Sequence, residues 1–192
     1  SLGSASRLLS FPSAASKTLP SLVAREMRRA GTNLDTMSLS WKVLPGKGKA
    51  LQVFALAVPK EPMAKLVEAL RVAGLTPSAM DLKPLALARA INQKDAIIAH
   101  VEADRLELAI VLGERLVLMR SVALGEETSP GGVAAHLSEE LGRTLDFYSS
   151  AGREAPLEPS VPVYLTGDLA EAPDLAEAVT AATGRAIGKP EP

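Results

Sequence analysis

Few residues in this chain can do chemistry, and the first question is whether any of them stand together. Cysteine is absent, which excludes thiolate nucleophiles, disulfide staples and cysteine-held metals. The two histidines, His100 and His136, are too few for a histidine metal cluster. His100 falls inside an apolar run, with no serine or carboxylate placed by spacing to complete a triad, so it reads as a core or edge histidine. His136 reads as a surface residue near the start of a helix. Glu139 and Glu140 are adjacent rather than four apart, so on a helix they point in different directions and form no carboxylate pair. Arg25, Arg28 and Arg29 read as a solvated helix face that favours its own C-terminus. Pro45-Gly46-Lys47-Gly48-Lys49 has the glycines and lysines of a phosphate loop but not their spacing, and it leads into a strand rather than a helix. Two short polar breaks remain, Glu102-Ala103-Asp104-Arg105 and Gly167-Asp168. Neither is a catalytic apparatus by itself.

The elements that would position these breaks follow from periodicity. Ile97–Val101, Leu106–Leu112 and Leu116–Val122 are apolar runs joined by breaks so short that only antiparallel neighbours fit, which predicts a three-stranded meander. Before it, Arg7–Phe11 is a short strand followed by a small-residue loop through Ser16. A helix capped by Thr18 then buries Leu19, Leu22, Val23, Met27 and Ala30 and stops at Gly31. Met37, Leu39, Trp41 and Val43 alternate with polar residues as a half-buried strand, and Leu51–Val58 is apolar enough for an inner strand or one covered on both faces. A helix from Pro59-Lys60-Glu61-Pro62 presents Met63, Leu66, Val67, Leu70 and Val72 as a buried stripe. Leu75–Leu82 is extended, and Lys83–Asn92 is a short helix. Together the elements to Leu82 predict a layer with helices on one face. After the meander come a turn-rich connection, a helix over Val133–Ser149 burying Leu137, Leu141, Leu145 and Phe147 or Tyr148, a buried strand over Val161–Thr166, a helix over Pro173–Thr183, and a disordered tail from Gly188.

At 192 residues, 47% hydrophobic and 22% charged, the chain suits one large or two small globular domains. A net charge of −1 offers no general attraction for nucleic acid or anionic lipid. No apolar run approaches the roughly 18–20 residues of a membrane helix, so no direct membrane insertion is expected. The opening Ser1-Leu2-Gly3-Ser4 has neither a methionine nor a signal-peptide pattern, and the chain reads as a piece of a longer protein.

The order of several segments then carries a resemblance. FPSAASKTLPSLVAREMRR, MSLSWKVL, ALQVFALAVPKEPMAKLVEALRVAGLTPSAMDLKPLALARA, ELGRTLDFY and VYLTGDLAEAPDLAEAV, in that order, resemble PilM, the actin-like protein of type IV pilus assembly, and more distantly the cell-division protein FtsA. The resemblance implies an α+β fold: an SHS2-like 1C subdomain over residues 1–82, then a partial ribonuclease-H-like, actin-like domain 2A over residues 83–192. It implies a cytoplasmic protein peripheral to the inner membrane, a PilN-like cytoplasmic tail and pilus platform proteins as partners, and ATP with magnesium in intact family members. In the family the tail lies in a groove involving 1C, which points to Leu51, Val53, Val58, Lys60 and Met63 as partner-binding residues.

The resemblance also shows what departs from the pattern. The family's opening strand and first phosphate loop precede the part matched here. Its second phosphate turn usually reads Asp-Ile-Gly, where this chain has Glu102, Ala103 and Asp104. A phosphate turn needs close N–H approach and a positive local field. Ala103 adds a Cβ, and each carboxylate at about 4–5 Å opposes a polyanion by on the order of 3–4 kcal/mol before screening, unless Asp104 holds a magnesium ion. The family's adenosine-side Gly-Gly is Gly167-Asp168, with Asp168 equally suited to cap a helix. The connection Gly125–Gly132 is too short for the family's 2B subdomain. Glu140 matches a family acid, but a lone helical glutamate reads as solvent-facing. The expectation is a degenerate cofactor site at Glu102, Ala103, Asp104, Gly167 and Asp168, no cofactor bound, and a non-catalytic docking scaffold. The alternative is the nucleotide-incomplete part of an actin-like ATPase of PilM or FtsA type.

Overall fold

The computed structural model describes residues 3–44, 50–124, 130–150, 156–172 and 174–189. The lysine-glycine loop at Pro45–Lys49 and residues 125–129 of the connection lie outside them. The chain divides into two compact units, Ser1–Met80 and Asp81–Pro192.

The first unit is an antiparallel sheet of β1 (Ala5–Pro12), β2 (Met37–Leu44) and β3 (Ala50–Pro59) in the order β1-β3-β2. The small-residue loop read from sequence through Ser16 instead winds, with Lys17 and Thr18, into a 3-10 turn over Ser13–Thr18 that feeds α1 (Leu19–Arg29). Leu19, Val23 and Met27 of α1 close over Phe11, Val53, Ala55 and Ala57. β3 is the central strand, as its apolar run predicts, but only one of its faces is fully buried. Three strands are about one helix wide, so α1 alone covers that face. α2 (Lys60–Val72) therefore corrects the sequence reading: none of its residues is buried, and Leu66 and Val72 are exposed. Its stripe is amphipathic, but the place such a stripe would take on the sheet is already filled by α1. Leu75–Leu82 joins no sheet, so among the described residues the unit has three strands rather than four.

In the second unit the meander forms as its spacing predicts, with β4 (Ala96–Val101), β5 (Arg105–Leu112) and β6 (Arg115–Ala123). Gly113 and Glu114 both take positive φ in the two-residue turn between β5 and β6, a geometry that matches strand twist. β7 (Val163–Thr166) adds to β4 in parallel, giving the order β6-β5-β4-β7. One face packs Ile97, Ala99, Leu108 and Ile110 against Leu137, Leu141 and Tyr148 of α4 (Pro130–Ser150) and Leu175 and Val179 of α5 (Leu175–Thr183). Tyr148 takes the aromatic position in this core, and Phe147 faces solvent. Ile98, Ala109 and Val111 are buried on the opposite face, and α3 (Lys83–Ile91) lies against β5 and β6.

The exit of β7 is a tight crossing. Gly167 has φ +97°, and a Cβ built there would stand 2.4 Å from the Val101 carbonyl oxygen at the end of β4. Leu169 N–H donates to the same oxygen at 3.2 Å. Asp168 caps no α-helix, because α5 begins seven residues later at Leu175. The expected disordered tail is ordered at its start: Gly188 N–H donates to Val163 O at 2.8 Å, and Ile187 bridges Val163 in parallel. Arg185 Nη1 donates to the carbonyls of Glu158, Pro159 and Val161, tying the strand's entry to its flank. Gly167→Ala is predicted to destabilise the second unit by about 2–4 kcal/mol, combining left-handed strain with overpacking. Urea unfolding of the full chain measures it, and a change below about 0.5 kcal/mol would contradict the crossing.

Candidate functional site

Parallel pairing of β4 with β7 brings their C-terminal ends side by side, with His100 in register with Thr166. The two polar breaks singled out from sequence therefore leave the same edge of the sheet. Glu102 N–H closes the first turn on the Arg105 carbonyl at 2.9 Å, and Gly167 turns back over Val101 as described. This is the kind of edge at which open α/β sheets take ligands.

Side chains at this edge form one connected chain. His100 Nδ1 and Thr166 Oγ1 are 3.0 Å apart. On the other side of the ring, Nε2 lies 3.5 Å from Glu102 Oε1. Glu102 Oε2 accepts from Lys83 Nζ at 2.5 Å, reaching the first turn of α3. The second carboxylate of the break, Asp104, pairs with its neighbour Arg105 at 3.3 Å. A carboxylate and a hydroxyl thus do flank His100, contrary to the sequence reading. Glu102 follows it by two positions, the period that returns a strand to the same face, and Thr166 arrives only through the parallel register. Lys83 and Thr166 carried no sequence signal of their own.

Electrostatically the turn is not the bare negative pair that the sequence suggested. The Lys83 hydrogen bond holds the Glu102 carboxyl below its ordinary value, reinforced by the charge of Lys83 and by His100, against partial burial, which acts the other way. Ala103 lies in the turn between these pairs, and Asp168 is exposed.

A second cluster lies on the α4 side. Glu140, expected at the surface, is buried. Arg143 Nη1 donates to its Oε1 at 2.6 Å, and Arg120 of β6 forms an ion pair with its Oε2 at 2.7 Å. Arg143 also reaches Glu139 at 2.5 Å, so the two adjacent glutamates share one guanidinium. The signal was present in the spacing: Leu137, Glu140, Leu141 and Thr144 follow the 3–4 rhythm of the buried face. Both guanidiniums are half-exposed, which lets a buried carboxylate stay paired without burying the cations.

Of the five residues expected at a partner groove, Val53 is fully enclosed beneath α1 and offers no surface. Leu51 packs at the margin of the same core, and Val58 lies on the opposite face of β3. Lys60 is exposed and donates to the Asp35 carbonyl at 2.9 Å. Met63 lines a shallow groove along α2 with Lys60, Val67 and Arg71. Among the described residues, no group of three or more His, Asp or Glu side chains is placed to hold a metal ion, and no helix is long and apolar enough to cross a membrane.

The Lys83–Glu102 pair has a pH signature. With the folded-state pKa of Glu102 depressed, its stabilisation is fully present above the unfolded value and is lost as pH falls through the folded one. Urea unfolding of wild type and Glu102→Gln should differ by up to about 1 kcal/mol at pH 7 and converge in acid. A gap that is constant with pH would contradict the pairing.

No family model and no curated protein sequence matches the chain. Solved structures do. A chain of a PilM-PilN type IV pilus biogenesis complex aligns over 96% of this chain and 65% of its own, at 23% identity and a TM-score of 0.76. A Bacteroides thetaiotaomicron protein with an actin-like ATPase fold and unknown function aligns over 97% of this chain and 65% of its own, at 14% identity and a TM-score of 0.49. The ethanolamine utilization protein EutJ of Carboxydothermus hydrogenoformans aligns over 64% and 54%, at 14% identity and a TM-score of 0.46. The likeness to PilM drawn from the motifs is thus met in the coordinates, and the α+β fold of this chain is that of the chain in the PilM-PilN pilus complex, of which it spans 65% of the length.

Proposed function

We propose that the chain is a PilM-like, non-catalytic component of type IV pilus assembly, peripheral to the inner membrane on its cytoplasmic side. In this reading it docks the cytoplasmic tail of a PilN-like membrane-anchored protein and, through it, the pilus platform. The observation that carries the reading is the match over 96% of the chain to a chain of a PilM-PilN complex. The groove along α2 supports it: Met63 and Val67 are half-buried apolar residues, with Lys60, Lys65 and Arg71 around them outweighing the single carboxylate of Glu68. An apolar peptide flanked by acidic residues suits that lining.

ATP fits the β4/β7 edge poorly. Lys83, which reaches this edge, is spent on Glu102, and Arg105 is spent on Asp104. The space left by the missing side chain at Gly167 is filled by the Val101 backbone rather than held open for a base. The competing reading, an incomplete actin-like ATPase of PilM or FtsA type, draws on the position of the edge alone.

A fluorescent peptide covering the tail of a PilN-like protein is expected to bind the chain with micromolar affinity. Met63→Glu should weaken that binding at least about tenfold, because it removes the apolar contact at the floor of the groove and its carboxylate both neutralises the neighbouring lysines and repels the acidic flanks of the peptide. No binding to the wild type would refute the docking function. Binding unchanged by Met63→Glu would refute the α2 groove.

A further inference from the structure

Strand edges expose unpaired N–H and C=O groups, and proteins blunt them with charge, proline, brevity or cover. Among the described residues, three of the four outer strands are blunted. β1 carries Arg7 and ends in Pro12, β6 carries Arg115 and Arg120, and β7 has only four residues, flanked by Ile187. β2 is different. It runs eight residues, MSLSWKVL, with no proline and a single charge, Lys42, and among the described residues nothing pairs with its outer edge. Trp41 and Val43 lie on the face covered by α1, yet each is 39% exposed.

We propose that the free edge of β2 pairs antiparallel with β2 of a second copy, across a two-fold axis at Ser40, to make a continuous six-stranded sheet. The strand is complementary to itself in that register. Leu39 falls opposite Trp41, Met37 opposite Val43 and Ser38 opposite Lys42, each pair occurring twice, and the two lysines are kept apart. Residues with even and odd numbers stay on their own faces, so both copies of α1 lie on the same side and the apolar pairs extend the core margin beside them. A shift of one position would set Leu39 opposite Lys42 and bring apolar residues of one copy onto the polar face of the other. Such an isologous contact closes on itself and leaves no free β2 edge. The proposal is independent of pilus docking.

Sedimentation velocity of the full chain across micromolar concentrations tests it, with circular dichroism to confirm folding. The expected result is a mass rising from 20.1 kDa to twice that value, accompanied by a blue shift of the single tryptophan, Trp41. Ser40→Lys sets two lysines face to face on the axis and should weaken association severalfold, while Ser10→Lys on β1 should not. The double variant Ser38→Lys with Lys42→Glu places two opposite-charge pairs across the axis and should tighten the dimer roughly two- to thirtyfold. A wild type that stays monomeric overturns the proposal. So does a dimer indifferent to Ser40→Lys, or one not tightened by the double variant. Should Ser40→Lys fail to fold, the double variant decides.

Discussion

The parallel pairing of β4 with β7 is the constraint on which the second unit depends. An antiparallel meander needs only short turns, but a parallel neighbour needs a long crossover, which here runs through β5, β6 and α4 before the chain returns. That return fixes three things at once. It sets Thr166 beside His100, it forces the Gly167 crossing over Val101, and it gives α4 and α5 a common face to cover. Each would be lost by a register slip of one residue, because the slip would exchange the two faces of β7. Arg185 and the Val163 bridges hold the far side of the same strand in place.

At the open edge this pairing leads to mutual satisfaction of the polar groups. Lys83, Glu102, His100 and Thr166 form one chain, and Asp104 turns to Arg105. A ligand entering there would have to displace existing partners before gaining its own, which offsets part of what each new contact contributes. This is the physical content of the scaffold reading. The first unit contrasts with it, since what it leaves uncovered lies on the surface: the apolar floor of the α2 groove and the backbone edge of β2.

Much of the fold was legible because its signals are local. The meander, α1 and α3 follow from apolar period and from Gly31 and Asn92 at their ends. What escaped was decided at a distance. The stripe on α2 has the right rhythm to be buried, but whether a stripe is buried depends on how much sheet remains to cover. Glu140 was misplaced by expecting a glutamate to be solvated, although its position on α4 put it on the inner face where Arg120 waits. The turn at Glu102–Arg105 was found correctly as a break, yet its charges were read alone. Glu102 finds its closest partner, Lys83, on α3, an element whose proximity no spacing in the sequence discloses, while Asp104 pairs with Arg105 inside the turn itself.

The central proposal is that the β4/β7 edge is closed by its own side chains and takes no nucleotide. Isothermal titration of ATP with magnesium into the full chain tests it most directly. The account predicts no saturable heat up to roughly millimolar nucleotide, the weak limit of specific binding. A stoichiometric micromolar isotherm, abolished by Gly167→Ala or by Lys83→Ala, would contradict it.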